Sequence, residues 1–150
     1  MEFKEKIQDQ FQKAGWFPGR NVRKELAKSE GFETMPEHAK EFLTSYGNLL
    51  IEYGNPFESE VINTLETDPK YVKGIIWKDP PFADELYYVG YFYPDHYMIY
   101  SDASGTVYMV GDFYFKINDN FINGIENLLE DDWSNSLEWN PKTKQWVDEY

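Results

Sequence analysis

Apolar positions near the start of the chain recur at helical spacing. Phe3, Ile7, Phe11 and Ala14 form one stripe, predicting a helix over about Glu2 to Lys13 with Gly15 as its C-terminal cap. Trp16-Phe17-Pro18-Gly19-Arg20 then reads as a tight aromatic turn, and Asn21 to Ser29 is weakly patterned. Thr34-Met35-Pro36-Glu37 has the form of a capping box, with Thr34 as N-cap and Pro36 in the first turn. Ala39, Phe42, Leu43 and Tyr46 supply that helix's buried stripe, and Gly47 ends it.

After Gly47 the period changes to two. Leu49, Ile51 and Tyr53 alternate with Leu50 and Glu52 and predict a strand, closed by the Gly54-Asn55-Pro56 turn. Val61 to Glu66 reads as a second strand before Asp68-Pro69, whereas Tyr71 to Trp77 suits either helix or strand. Leu86 to Tyr93, His96 to Ser101 and Thr106 to Val110 are rich in Tyr, Val, Ile and Phe and predict an antiparallel meander. Its turns are Pro94-Asp95 and Asp102-Ala103-Ser104-Gly105. Asp119 is placed to cap a last helix bearing Phe121, Ile122, Ile125, Leu128 and Leu129. Trp139 and Trp146, set about Asn140-Pro141-Lys142-Thr143, suit a C-terminal hairpin within residues 133–150. The expected fold is a single α+β domain over residues 1–150, a mainly antiparallel sheet of about five to six strands flanked by helices.

Composition sharpens this picture. The 150 residues carry a formal charge of −13, unevenly spread. Residues 1–30 hold seven basic and five acidic groups, and residues 31–150 hold seven and twenty-two. Such a surface repels nucleic acid and anionic lipid and steers basic partners towards it. The chain has no cysteine, no apolar run of membrane-spanning length and no apolar core in its charged first residues, so a cytoplasmic protein is expected. Five Trp, twelve Tyr and eleven Phe are more than a small core usually takes, and Tyr and Trp beside charge anchor protein interfaces.

Catalytic signatures are missing. His38 and His96 read as ordinary surface or edge histidines, and no HExxH, GxSxG, P-loop or GxGxxG pattern occurs. Asp102-Ala103-Ser104-Gly105 hints at a calcium loop, but the twelfth position from Asp102 is Phe113, where that loop needs glutamate. A turn is expected instead, with Asp102 accepting nearby N–H groups and Gly105 at positive φ. Asp131-Asp132, after Glu130, sets acids at a helix C-terminus, against the dipole. No metal or cofactor is expected.

The ordered series Gly15-Trp16-Phe17-Pro18-Gly19-Arg20, the Pro-led helix ending Phe42-Leu43-Thr44-Ser45-Tyr46-Gly47-Asn48-Leu49, Val89-Gly90-Tyr91, Ile99 to Tyr108 and the closing Phe121 to Leu129 helix resembles the SUKH superfamily of bacterial immunity proteins, most closely its third branch. The resemblance covers about residues 3–131. It implies an α+β fold and a non-enzymatic protein that binds a cognate polymorphic toxin domain, often a nuclease or deaminase, and blocks it. It also implies structural roles: Trp16 in the core, Arg20 paired with a carboxylate or helix carbonyls, Tyr46, Gly47, Gly90 and Gly105 shaping turns, and Gly19, Pro36, Phe42 and Asp102 as further structural residues of the motif. Toxin contacts are expected on the acidic, aromatic rim, at Glu52, Asp79, Asp84, Glu85, Tyr91, Tyr93, Asp95 and Tyr97. Two alternatives stay open: an interaction or scaffold domain of the same fold, and a metal-dependent hydrolase with an acidic site.

Overall fold

The computed structural model describes residues 1–54, 62–68, 74–93 and 95–148. Val61, Tyr71 to Lys73, Pro94 and the Asn55-Pro56 and Pro69 turn positions lie outside these. Among the described residues four helices, α1 (Glu5–Lys13), α2 (Arg23–Leu26), α3 (Glu37–Tyr46) and α4 (Phe121–Glu130), accompany nine strands. The strands are β1 (Leu50–Tyr53), β2 (Asn63–Glu66), β3 (Ile76–Trp77), β4 (Leu86–Tyr93), β5 (Tyr97–Ser101), β6 (Val107–Val110), β7 (Tyr114–Asn118), β8 (Leu137–Asn140) and β9 (Gln145–Val147).

The strands form one antiparallel sheet in the order β1-β2-β4-β5-β6-β7-β8-β9. β3 also pairs with β4, at Leu86 and Tyr87, so β2 and β3 share one edge of β4 end to end. Between Tyr88 and Gly90 the register slips by one residue. Gly90 eases the close approach there: a Cβ would lie 2.7 Å from Leu65 Cδ1 and 3.3 Å from the Glu66 carbonyl oxygen on the neighbouring strand, so Leu65 would have to shift.

α1, α3 and α4 all pack on one face of the sheet. Ile7 and Phe11 of α1, Phe42, Leu43 and Tyr46 of α3, and Ile125, Leu128 and Leu129 of α4 are buried with Ile51, Leu65, Phe92, Ile99 and Val107 of the strands. Each such side chain contributes about 1.5–3 kcal/mol on leaving water. Gly124 allows α4 to approach, since a Cβ there would stand 2.5 Å from Val107 Cγ2.

The other face carries a second aromatic core. Phe82, from the β3–β4 loop, lies over the sheet with its ring centroid 4.9–6.2 Å from those of Trp77, Tyr108, Tyr114, Trp139 and Trp146. Trp139 pairs with Trp146 across the expected hairpin, whose turn is held by Asn140 Oδ1 accepting from the N–H groups of Lys142 and Thr143. The aromatic surplus is thus largely a second packed layer.

Several expectations need correction. Thr34 caps nothing: its hydroxyl donates back to the Gly31 carbonyl in a short 3₁₀ turn (Phe32–Thr34), and Pro36 occupies the N-cap position of α3. The residue before a proline avoids helical backbone, which displaces the helix start past Met35. The cap of α4 is Asn120, which accepts from the Asn123 N–H at 2.9 Å, not Asp119. The sheet has nine strands rather than five or six, chiefly because β7 and the tail hairpin extend it. β7 lacks a clean alternation since both its faces are half covered.

Candidate partner-binding surface

The family-like residues make packing contacts and hydrogen bonds at helix ends and turns. Trp16 is half-buried; its Nε1 donates to Ser45 Oγ at 2.9 Å, and its ring packs on Tyr46. Arg20 Nη1 donates to the Ser45 carbonyl at 2.8 Å, satisfying a helix-end acceptor. Gly19 and Gly105 have φ of +85° and +100°, left-handed values that a Cβ would strain. Gly47 is different: its φ is an ordinary −67°, and glycine is needed because a Cβ would sit 2.3 Å from the Leu43 carbonyl oxygen.

Asp102 is a structural hub. Its Oδ1 accepts from the Ser104 N–H, the Ser104 hydroxyl and the Thr106 N–H, and its Oδ2 accepts from the Tyr108 hydroxyl at 2.9 Å. Burial, reinforced by this carboxylate, pushes the Tyr108 hydroxyl well above the ordinary phenol range. Beside it, His38 is no surface residue. It is half-buried, with Nε2 2.9 Å from Ser101 Oγ and its ring 5.0 Å from Phe121. Burial lowers its pKa, partly opposed by Asp102. Ser101 is wholly buried. Among the described residues no group of three or more His, Asp or Glu side chains could hold a metal ion, and no helix is long and apolar enough to cross a membrane.

The eight acidic and aromatic residues fall in three places. Glu52, Tyr91 and Tyr93 share the outer sheet face, since Glu52 aligns with Thr64, and Thr64 with Tyr93. There the rings of Tyr91 and Tyr93 meet His96 at 6.0 and 5.2 Å, and the Tyr93 hydroxyl donates to Glu66 Oε2. Asp79, Asp84 and Glu85 lie in the β3–β4 loop. Asp84 and Glu85 line a groove of about 390 Å³ with Asp102, Tyr108, Lys116 and Trp146. The Tyr87 hydroxyl donates to Glu85 at 2.6 Å and is raised by that bond, and by burial, to about 12. Lys116 Nζ stands 5.0 Å above the Trp146 ring.

Asp95 and Tyr97 lie elsewhere, around a hollow of about 380 Å³ shared with Met109, Phe115, Asp131, Trp133 and Ser136. Two of these were legible only in part: the acids after α4 stand out against the helix dipole, but nothing in the sequence brings Trp133 to Tyr97. Phe113, in the adjoining β6–β7 turn, is 60% exposed. A wider depression of about 690 Å³ between α1 and the end of β1 is lined by Lys6, Lys13 and polar neighbours and carries none of the eight residues.

No curated protein and no solved structure matches the chain. The family profile described as SUKH-3 immunity protein matches residues 3–131, from two residues before α1 to the C-cap of α4, leaving the β8–β9 hairpin outside the match. Since that match spans most of the sequence, the chain belongs to the SUKH-3 immunity protein family.

Proposed function

We propose that the protein acts in the cytoplasm as an immunity protein, binding a cognate nuclease- or deaminase-type toxin domain and covering its substrate surface, with no chemistry of its own. Family membership supports the immunity role. The observation that carries the mechanism is the disposition of charge: residues 31–150 hold a net charge of −15, and Glu52, Asp79, Asp84, Asp95, Asp131 and Asp132 are exposed. Meanwhile His38, Ser101 and Asp102 are engaged in internal hydrogen bonds. Enzymes that hold phosphate backbones need basic surfaces, and an acidic partner is steered onto them.

The test is co-expression with the toxin domain encoded beside the gene. Survival of the host, with a stoichiometric complex and inhibited toxin in vitro, supports the reading. A toxin that stays active beside an excess of folded protein overturns it. The association rate should also fall steeply with added salt.

A further inference from the structure

We propose that the hollow between the β4–β5 turn, the β6–β7 turn and the segment after α4 is a docking site for an arginine side chain presented by a protein partner. Its floor is aromatic and soft: Tyr97, Met109, Phe115 and Trp133. Its rim carries the carboxylates of Asp95 and Asp131, and no lysine or arginine is among its lining residues.

The parts are held in place before any partner arrives. Trp133 packs edge-on against Phe92, centroids 6.2 Å apart, and its Nε1 donates to Asp131 Oδ1 at 2.7 Å. Asp131 is itself fixed in left-handed backbone, φ 58°, as the residue that ends α4. On the opposite side Gly111 lies flat against Tyr97, so close that a Cβ would stand 2.7 Å from the ring. The Tyr97 hydroxyl reaches the Phe113 backbone, and burial together with the charges of Asp112, Asp95 and Glu138 raises its pKa. Those carboxylates therefore converge on the same corner of the molecule, beside the exposed ring of Phe113.

This combination selects the ligand chemistry. A buried aliphatic anchor would leave Asp95 and Asp131 facing apolar surface, which is costly. A cation fits, and a guanidinium fits better than an ammonium. Its plane stacks on the aromatic floor while its fork of N–H donors meets a carboxylate in two bonds. Tryptophan, tyrosine and arginine are also the side chains that most often dominate binding energy at protein interfaces. The identity of the partner as a toxin rests on the immunity reading; the hollow's preference for arginine does not.

The experiment uses the full-length ¹⁵N-labelled protein and capped Gly-Arg-Gly-Arg-Gly peptide, with lysine and glutamate versions of the same peptide as controls. The arginine peptide should shift the Trp133 indole N–H and the Tyr97 and Phe113 amides first. The lysine peptide should bind several-fold more weakly. Asp95→Asn with Asp131→Asn should weaken the arginine peptide roughly tenfold without altering the rest of the spectrum. Asparagine tolerates left-handed backbone and still accepts from the indole, so the fold should survive. Shifts spread evenly over the acidic surface, or equal binding of the lysine peptide, would overturn the proposal. The same variant tested for protection against the toxin separates the two readings. A folded variant that protects fully removes the hollow as the toxin contact and leaves immunity standing. Arginine binding localised at the hollow of a protein that protects against no toxin supports the site and defeats the immunity reading.

Discussion

The indole of Trp16 lies flat on the ring of Tyr46, centroids 5.4 Å apart and planes 11° from parallel. With the Arg20 bond to Ser45, it clamps the segment after α1 onto the last turn of α3. Trp16→Ala should cost about 2–3 kcal/mol, less than a fully buried tryptophan, and Arg20→Ala about 1–2 kcal/mol. Urea midpoints at constant m-value check both. An unchanged midpoint for Trp16→Ala would mean that the stack is incidental.

Gly47 and Gly19 should respond differently to alanine. At Gly47 the obstruction is steric, with the Leu43 carbonyl oxygen at 2.3 Å and Leu26 Cδ1 at 2.9 Å from the added carbon. The cost should be about 3 kcal/mol or more. At Gly19 nothing lies within 4 Å, and only the positive φ resists. About 1 kcal/mol is expected there. A larger loss at Gly19 than at Gly47 would contradict the packing described.

His38 gives the fold a pH dependence of definite sign. Burial holds its folded pKa below the value near 6.5 that it has when unfolded. The unfolded chain therefore binds the proton more readily. Stability is fully present above about pH 6.5, declines as pH falls through that value, and levels off below the folded pKa. Ser101, Phe121 and the opposing charge of Asp102 surround the ring. Urea melts at about pH 7.5 and about pH 5.5 should differ more for the wild type than for His38→Gln. Equal differences would remove His38 as the cause.

The tail hairpin should be structural. Phe82 and Trp146 lie 5.4 Å apart in the second aromatic layer. Phe82→Ala and Trp146→Ala should each cost about 2–4 kcal/mol, and together about 1 kcal/mol less than the sum, because each removes the other's contact. Strict additivity would mean that the two rings are not coupled, and no loss on Trp146→Ala would place the hairpin outside the cooperative fold.

How much of this could be read from the residues depended on what carries the information. α1, α3 and α4 have one buried stripe each, and their spacing placed them to within a few residues. β4 was bounded correctly because an apolar and aromatic run, interrupted only by Gly90, lies between Glu85 and Pro94. β7 was missed since α4 half covers one of its faces and Trp146 lies near the other, which erases alternation. Thr34 and Asp119 were misjudged as caps because the motif is local, while the choice of cap depends on where the preceding turn delivers the chain. The eight rim residues share only their acidic or aromatic character in the sequence, and the folded chain distributes them over three places. Only register and long-range packing bring Asp95 and Tyr97 to Asp131 and Trp133.

The hairpin has one more consequence. Without β8, strand β7 would end the sheet and offer Tyr114, Phe115 and Ile117 along an unpaired backbone edge, next to the exposed Phe113. Such an edge templates strand addition between molecules. Pairing with β8 and β9 replaces it with the three-residue Gln145–Val147 edge, close to Lys142 and Lys144. The tryptophan hairpin should thus shield this edge of a crowded, aromatic sheet, and a chain shortened before Leu137 should be lost to aggregates before it is lost to unfolding.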